Sequence, residues 1–482
     1  MDLLALFDNK KNLIVLSLCP KGQGEKQKSE RLNMTILKTK QPAFHITGEK
    51  GWINDPNGLV FFKGKYHVFF QHNPNDVQWG PMHWGHVVSE DLTHWEYLPN
   101  ALVPCDEFDS FGCFSGSAIE HDGKLYLLYT GVVENQGGET LRQLQCLAES
   151  VDGINFKKHG IVIGEDKLPL EYEPWNFRDP KVWRYNEYFW CVVATKKRDG
   201  KGRILLFKSK NLFDWDFVGD LFNKDSCGEM IECPDYVEEL NLLLSSEQFQ
   251  PKEEGHLNVH TSRWHIGKLD YESGLFNEEA RGTMDYGFDL YAPQTIKGVN
   301  VVIGWLNMWD RNIPSAKYGF AGMLTIPRKV EVKGDRLYQT PIVNTKGGVE
   351  RVVKGLLEDN IKKGVITIKV KGLTEFNLKL REKGENYTKL CLLDNKWVFD
   401  RSLSGEEIKG VETDSDSLNG IRRMPCSNSE EKTLTIVMDQ FSVEIFEDGN
   451  VLSSTIYPPE DADKLTLSVK AESCSYLVEE VE

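Results

Sequence analysis

The sequence lacks three features: a long hydrophobic run, an excess of positive charge and a C-x-x-C motif. None of its apolar stretches approaches the roughly 20 residues that a membrane helix needs, so neither a transmembrane helix nor a membrane partner is expected. Its 57 basic residues stand against 73 acidic ones, a net charge of −16, which argues against nucleic acid or an anionic lipid surface as the main partner. An uncharged small molecule fits this charge better.

The ten cysteines are scattered along the chain and have neither the spacing of a zinc site nor that of a disulfide framework. Free thiols in a reducing compartment account for them best. A short apolar run from Leu13 to Cys19 follows Lys10 and Lys11, but no clear small-residue cleavage site comes after it. We therefore expect a cytoplasmic protein, and we interpret residues 1–41 as an N-terminal extension.

What the sequence does contain is a weak repeat with a period of about 60 residues. Three segments share a serine, a turn-forming Asp or Asn and a closing aromatic residue: Ser89-Glu-Asp-Leu-Thr-His-Trp95, Ser150-Val-Asp-Gly-Ile-Asn-Phe156 and Ser209-Lys-Asn-Leu-Phe-Asp-Trp215. A second series opens strand-like runs: Asp55-Pro56, Asp179-Pro180, Cys233-Pro234 and Ala292-Pro293, with Gly116-Ser117 in the remaining position. These spacings imply five units.

Each unit also carries hairpin signals, in which Gly or Asp-Gly separates two apolar runs, as at residues 59–70 and 118–129. We therefore expect each unit to form one antiparallel sheet of about four strands. Five such sheets close most economically as a ring, so we predict an all-β fold with a five-bladed β-propeller at residues 42–340. After Gly347 the aromatic residues thin out and short alternating runs appear, which predicts a C-terminal β-sandwich at residues 348–482.

The first strand of each propeller blade lines the central channel, so the residues that open the units should converge there. They are Asp55, Ser115 to Ser117, Asp179, Glu232 and Tyr291. Each acid alone can be explained as a turn residue, an ion-pair partner or a solvated strand end. Three carboxylates at one repeat position are nevertheless unusual, because like charges raise each other's pKa and destabilise the fold. Glycoside hydrolysis uses such a group, with one carboxylate ionised and another protonated.

Three blocks of the sequence resemble the signature motifs of glycoside hydrolase family 32: Trp52-Ile-Asn-Asp-Pro-Asn-Gly58, Phe177-Arg-Asp-Pro180 and Glu232-Cys-Pro-Asp235. This family comprises invertases, sucrose-6-phosphate hydrolases and fructanases. Further matches in the same order are Phe70-Gln-His-Asn-Pro74, Trp79-Gly-Pro-Met-His-Trp-Gly-His86, Phe114-Ser-Gly-Ser117, Tyr291-Ala-Pro-Gln294, Phe399-Asp-Arg-Ser402 and Val443-Glu-Ile-Phe446. The resemblance covers nearly everything after residue 42. One departure is Ile231, where many members carry Trp.

The resemblance implies a role for each matching position. Asp55 would be the nucleophile, Glu232 the acid and then the base, and Asp179 the residue that holds fructose hydroxyls. The implied fructose subsite consists of Trp52, Asn54, Gln71, Trp79, Phe114, Ser115, Arg178, Tyr291 and Trp305. We expect Arg178 to keep Asp179 ionised through a charge-assisted contact. No cofactor and no metal are implied.

The reaction implied is retaining hydrolysis of the terminal β-fructofuranosyl bond of sucrose or sucrose 6-phosphate. A phosphate would need a cation near the pocket, for which Lys317 and Arg311 are candidates. Exo-fructanase or fructosyltransferase activity would use the same acids. A related five-bladed family cleaves arabinose or xylose linkages by inversion, and a sugar-binding propeller without activity is a third alternative.

The sequence also contains residues typical of two other kinds of site. Cys233 beside Glu232 suggests a nucleophilic thiol, but no histidine in an evident pairing position accompanies it, so packing against the acid explains it better. His83, His86 and His94 suggest a metal, yet no nearby acid completes a ligand set and strand alternation would separate them. Structural roles for these histidines are expected.

Overall fold

The computed structural model describes residues 40–134, 141–222, 228–250, 258–410 and 420–482. Most of the proposed N-terminal extension, including the apolar run that ends at Cys19, lies outside these residues. Within them, no helix is long and apolar enough to cross a membrane. The described chain is almost wholly β-strand, with short 3₁₀ turns at Glu165–Lys167, Pro174–Asn176, Glu238–Leu240 and Pro314–Tyr318.

Five antiparallel sheets follow one another along the chain and form the blades of a β-propeller, as predicted. Blade 1 comprises β1 (Gly51–Phe62), β2 (Lys65–Asn73), β3 (His83–Ser89) and β4 (Glu96–Leu102). Blade 2 comprises β5 (Gly112–His121), β6 (Lys124–Glu134), β7 (Leu141–Ser150) and β8 (Lys157–Ile163). Blade 3 comprises β9 (Arg178–Tyr185), β10 (Tyr188–Lys196), β11 (Gly202–Ser209) and β12 (Trp215–Asp220). Blade 4 comprises β13 (Met230–Val237), β14 (Leu242–Gln248), β15 (Thr261–Leu269) and β16 (Phe276–Thr283).

The last blade also closes the ring. Its part of the chain forms β17 (Tyr291–Ile296), β18 (Val301–Trp305), β19 (Phe320–Ala321), β20 (Arg328–Lys333) and β21 (Arg336–Pro341). Four of these strands make blade 5, in the order β17-β18-β20-β21, while β19 pairs in parallel with β1 of blade 1. The amide of Gly51 also donates to the Gly319 carbonyl at 2.8 Å. The first and last blades are therefore joined by backbone hydrogen bonds.

The first strand of every blade carries a β-bulge at the same place, near its start. The register of the first strand with its neighbour shifts between Ile53 and Pro56, between Phe114 and Gly116, between Arg178 and Lys181, between Glu232 and Asp235, and between Tyr291 and Gln294. Proline cannot donate to a sheet ladder, and a bulge is a position where a residue without that donor is tolerated. The X-Pro series in the sequence therefore marks the bulges. Blade 2 differs, because its bulge lies at Ser115, one residue before the predicted Gly116-Ser117 position.

The serine-containing segments form one repeated turn between the third and fourth strands of blades 1 to 3. In the first, the amides of Asp91 and Leu92 donate to the Ser89 hydroxyl at 3.1 and 2.8 Å. Ser150 and Ser209 accept the same bonds in blades 2 and 3. The local hydrogen bonds that a hydroxyl can make explain why serine recurs there.

Two further sheets form the C-terminal β-sandwich. Their strands are β22 (Thr345–Lys346), β23 (Arg351–Val352), β24 (Leu356–Asn360), β25 (Gly364–Lys371), β26 (Glu375–Lys383), β27 (Asn386–Leu393), β28 (Lys396–Asp400), β29 (Ile421–Pro425), β30 (Glu431–Met438), β31 (Ser442–Glu447), β32 (Asn450–Thr455), β33 (Lys464–Lys470) and β34 (Ser473–Val481). One sheet has the order β22-β34-β25-β30-β31-β32, with β23 also paired to β34, and the other has the order β24-β33-β26-β27-β28-β29. Their facing side chains form one apolar core around Trp397 and Phe399. The predicted domain boundaries, 42–340 and 348–482, stay predictions.

A buried ionic network joins the propeller to the sandwich. Arg328 of β20 donates to Glu444 of β31 at 2.5 Å and to Asp285 at 3.0 Å. Glu444 also contacts His45 at 3.0 Å, and the second ring nitrogen of His45 lies 2.9 Å from Asp439. Burial lowers the pKa of His45, but its two carboxylate partners outweigh burial and raise the pKa to about 9.

Candidate active site

The residues that open the blades converge, as the repeat predicts. The Ser115 hydroxyl of blade 2 donates to Asp55 Oδ2 of blade 1 at 2.7 Å. The Tyr291 hydroxyl of blade 5 donates to Glu232 Oε2 of blade 4 at 2.6 Å. Asp179 of blade 3 completes the ring of five positions and is buried like Asp55. All three acids therefore belong to one cluster.

Cys233 lies between two of the acids. Its thiol is 3.5 Å from Asp55 Oδ2 and 3.5 Å from Asp179 Oδ2, and its backbone amide donates to Asp179 Oδ2 at 2.9 Å. The bulge makes this possible, because Cys233 adopts a left-handed conformation with φ of 49°. Asp179 is also left-handed, with φ of 64°. Strained backbone of this kind is typical of functional sites.

Glu232 accepts four hydrogen bonds. Arg178 Nε and Nη2 donate to Oε1 at 3.0 and 2.7 Å, while Gln248 Nε2 and the Tyr291 hydroxyl donate to Oε2 at 2.7 and 2.6 Å. Arg178 lies 4.0 Å from Asp179. The sequence predicts a charge-assisted contact between Arg178 and Asp179, and the structure has this ion pair, in which the guanidinium opposes the rise of the Asp179 pKa. The carboxylate to which Arg178 donates hydrogen bonds is nevertheless that of Glu232, on the next blade.

Burial and mutual repulsion raise the pKa of two of the acids. For Asp55, burial and the Glu232 carboxylate raise the pKa, and hydrogen bonds from Ser115 and Cys233 oppose them. For Asp179, burial raises the pKa to about 7; the guanidinium of Arg178 opposes this, while Glu232 and Asp55 add to it. Burial and the neighbouring carboxylates therefore favour the protonated forms of Asp55 and Asp179 more than water would.

The aromatic residues of the predicted fructose subsite form two groups. Trp52 packs against Trp305 and stacks on Trp309, with ring centroids 5.8 and 6.1 Å apart. In the second group Trp79 and Phe114 pack edge to face, with ring centroids 5.6 Å apart. Flat apolar rings of this kind can cover the C–H face of a sugar.

The remaining predicted residues support the acids through the backbone and through one another. Asn54 precedes Asp55 and accepts a 2.8 Å hydrogen bond from Trp52 Nε1. Gln71 of β2 donates to the Cys113 carbonyl at 3.1 Å and so ties blade 1 to blade 2. Ile231, the departure from the family pattern, is fully buried in an apolar cluster with Trp183 and Leu243.

Sequence reasoning missed Gln248, and with it His260, Trp309 and Asp310. Gln248 pairs with Met230 across the β13–β14 ladder, a relationship that follows only from the register of the strands. His260 packs its ring edge-on against Tyr291 at 6.2 Å. None of these residues lies in one of the sequence motifs from which the site was predicted.

The alternative chemistries find little support. Burial and the three neighbouring carboxylates raise the pKa of the Cys233 thiol well above its usual range, which disfavours a nucleophilic thiolate. His86 contacts His67 at 3.0 Å, whereas His94 contacts Asp91 at 2.7 Å on the surface. Within the described ranges, no cluster of metal-ligating side chains occurs.

The two cations considered for a phosphate are both engaged elsewhere. Lys317 is paired with Glu406 of the sandwich. Arg311 donates to the Phe288 carbonyl and, at 3.0 Å, to Asn258 Oδ1.

Comparison with known proteins assigns the family. The family model for the glycosyl hydrolases family 32 N-terminal domain matches residues 45–341, and the model for the C-terminal region of the same family matches residues 339–482. A sucrose-6-phosphate hydrolase of Zymomonas mobilis is 36% identical, covering 88% of this chain and 88% of that protein. A raffinose invertase of Escherichia coli is 35% identical, covering 91% and 94%.

Solved structures agree on the fold. A family 32 β-fructofuranosidase from Bombyx mori superposes with a TM-score of 0.80 at 30% identity, covering 95% of this chain and 99% of that one. A sucrose-6-phosphate hydrolase from Lactobacillus gasseri superposes with a TM-score of 0.85 at 24% identity, covering 94% and 96%, and shows the fold alone. A propeller joined to a sandwich, with a carboxylate cluster where the blades converge, defines a glycoside hydrolase. This chain belongs to glycosyl hydrolase family 32.

Proposed function

We propose that this glycoside hydrolase is a retaining β-fructofuranosidase that removes the terminal fructosyl unit of sucrose or sucrose 6-phosphate. The proposal rests on the unequal numbers of hydrogen bonds that Asp55 and Glu232 accept. Asp55 Oδ1 is buried and accepts no hydrogen bond from the described residues, whereas Glu232 is held by four donors. The names of the relatives support this substrate class.

In the first step, Asp55 Oδ1 attacks the anomeric carbon of the fructosyl unit. The bond from that carbon to the glycosidic oxygen breaks, and Glu232 transfers a proton to the departing oxygen. The products are a fructosyl ester on Asp55 and the free leaving sugar. The Ser115 hydroxyl, 2.7 Å from Asp55 Oδ2, stabilises the carboxylate and leaves Oδ1 available for the attack.

In the second step, a water molecule replaces the leaving sugar. Glu232, now a carboxylate, removes a proton from the water as its oxygen attacks the anomeric carbon. The ester bond breaks, fructose leaves, and the two acids return to their starting state. Two displacements at one carbon give net retention.

Asp179 binds fructose rather than reacting with it. The Cys233 amide holds Oδ2 at 2.9 Å and thereby orients the carboxylate. Trp52, Asn54, Gln71, Trp79, Phe114, Ser115, Arg178, Tyr291 and Trp305 complete the proposed fructose subsite. Within this set, Arg178 and Tyr291 act on Glu232, and the indole rings face the sugar.

We propose a cytoplasmic location because the described cysteines form no disulfide bonds. The eight described cysteines are free thiols, and six of them are buried. Thiols that stay reduced fit a reducing compartment. Cell fractionation with an antibody to this chain tests this, and recovery from the culture medium would contradict it.

The activity is tested by measuring glucose release from sucrose and glucose 6-phosphate release from sucrose 6-phosphate. Asp55→Asn should lower both rates at least about 1,000-fold, and the exposed control Asp122→Asn should leave them unchanged. Added methanol should yield methyl β-fructofuranoside if the configuration is retained. The α anomer would point to inversion, and faster cleavage of inulin or levan would identify a fructanase. Tight sucrose binding without any product would instead leave a sugar-binding protein.

A further inference from the structure

Asp310 and His260, which lie near the active site in sequence or in space, carry buried polar atoms without hydrogen-bond partners. Both carboxylate oxygens of Asp310 and Nδ1 of His260 are buried and accept or donate no hydrogen bond in the described structure. His260 is only 6% exposed. A buried carboxylate oxygen is most favourable when it accepts a hydrogen bond, so these oxygens are suited to accept one from a donor group that binds in the site.

Ring packing puts His260 on the Glu232 side of the site, and the charge of Asp310 acts on His260. The ring of His260 meets Tyr291 edge-on at 6.2 Å, and the Tyr291 hydroxyl is bonded to Glu232. Asp310 directly follows Trp309, whose ring stacks on Trp52 at 6.1 Å. Burial lowers the pKa of His260, and the charges of Asp310 and Glu232 oppose this, as expected for an imidazole near both carboxylates.

Glu232 protonates the leaving oxygen in the proposed reaction, so the leaving sugar must lie on the same side. We propose that Asp310 and His260 bind hydroxyl groups of this leaving sugar and that the subsite selects an uncharged sugar over a phosphorylated one. The inference rests on the proposed function and narrows its substrate from two candidates to sucrose. Asp310 supplies two acceptor oxygens, and the uncharged imidazole can donate or accept through Nδ1.

The charge of the subsite argues against a phosphate. A phosphate monoester carries close to two negative charges at neutral pH, and it would meet Asp310 in a site that already contains Glu232, Asp55 and Asp179. Arg311, which follows Asp310 in sequence, donates to Phe288 and Asn258 and lies 3.7 Å from Asp289 Oδ1. The guanidinium of Arg311 therefore interacts with groups of the protein itself.

Three substrates separate the leaving-sugar contacts from the chemistry: sucrose, sucrose 6-phosphate and methyl β-fructofuranoside, whose leaving group has no sugar hydroxyls. Asp310→Ala and His260→Ala should each lower kcat/KM on sucrose by about 10- to 100-fold, the effect of losing one or two such hydrogen bonds. On the methyl glycoside they should change it by less than about threefold. Thr388→Val, which removes an unpaired buried hydroxyl in the sandwich, is the matched control and should change neither.

The charge is tested by Asp310→Asn, which keeps the size of the side chain. Wild-type protein should have a higher kcat/KM on sucrose than on sucrose 6-phosphate. In this variant the ratio of the two kcat/KM values should be about tenfold smaller. It also serves as the informative variant if the alanine substitution prevents folding, as judged by thermal unfolding.

Three results would overturn the inference. An equal loss on sucrose and on the methyl glycoside would mean that the pair acts through Glu232 or through the fold. No loss on either substrate, or a wild-type preference for sucrose 6-phosphate, would also reject it. Wild-type inactivity on all three substrates is a distinguishable outcome, because it would reject the proposed function itself and this subsite with it.

Discussion

Arg178 donates two hydrogen bonds, of 3.0 and 2.7 Å, to a single oxygen of Glu232. The two residues come from adjacent blades, and both side chains are largely buried. The planar guanidinium therefore determines where the Glu232 carboxyl group points. A lysine offers one point charge and cannot reproduce two hydrogen bonds that converge on one oxygen from a rigid plane.

We accordingly expect Arg178→Lys to lower kcat on sucrose by about 100-fold with a smaller effect on KM, because the acid is misdirected while fructose contacts persist. Steady-state kinetics measure this. The matched control is Arg184→Lys, since Arg184 is an exposed residue at the far end of the same strand β9. A change confined to KM would indicate that Arg178 binds substrate instead.

The hydrogen bond from Ser115 to Asp55 predicts a change in pH dependence. Burial and Glu232 raise the pKa of Asp55, and the 2.7 Å bond from Ser115 opposes them. Ser115→Ala should therefore raise the pKa further and move the acid limb of the kcat/KM profile to higher pH by about one unit. Activity should recover towards the wild-type value as the pH increases. A uniform loss at every pH would contradict this explanation.

The raised pKa of Asp179 predicts that this carboxylate, when ionised, lowers the free energy of unfolding. A carboxyl group with a folded pKa of about 7, well above its unfolded value, binds its proton more tightly in the folded state. Its ionisation therefore destabilises the fold progressively as pH rises from about 4 to 7. Asp179→Asn should abolish activity and yet increase the free energy of unfolding by about 1 to 3 kcal/mol at pH 7, with little gain at pH 4.

Thermal or urea unfolding of both proteins across this pH range checks the prediction for Asp179. Asp122→Asn, at an exposed turn, should change the free energy of unfolding by less than about 0.5 kcal/mol. A destabilised Asp179→Asn protein at pH 7 would show that the carboxylate is needed by the fold.

His45, in the ionic network that joins the propeller to the sandwich, should affect stability with the opposite sign: its protonated form stabilises the fold. Burial lowers its pKa, but Asp439 and Glu444 raise it to about 9. A raised histidine pKa stabilises the folded state fully below about pH 6.5, and the contribution disappears as pH rises through 9. His45→Gln should cost about 2 to 3 kcal/mol near pH 6 and much less at pH 10. Equal pH slopes for the two proteins would contradict this.

Much of the fold could be predicted from the sequence, because each blade is built from neighbouring strands. Local turns such as the one at Ser89 leave a repeated pattern, and an X-Pro pair such as Asp179-Pro180 marks a bulge that lies in the same place in each blade. Since the fold superposes the repeat positions, the convergence of Asp55, Asp179 and Glu232 also followed from their spacing. The composition of residues 348–482 was sufficient for a sandwich, although not for the order of its strands.

Contacts between blades were decided only by the tertiary structure. Arg178 stands next to Asp179 in sequence, yet its side chain donates hydrogen bonds to Glu232 of the next blade. Gln248 and His260 reach the site through strand register and ring packing. The physical reason is that a short period in the chain encodes which residues open a blade, whereas the direction of each side chain depends on the backbone of the neighbouring blade. The sequence thus determined the fold and the three acids, and the tertiary structure determined which donors hold each acid.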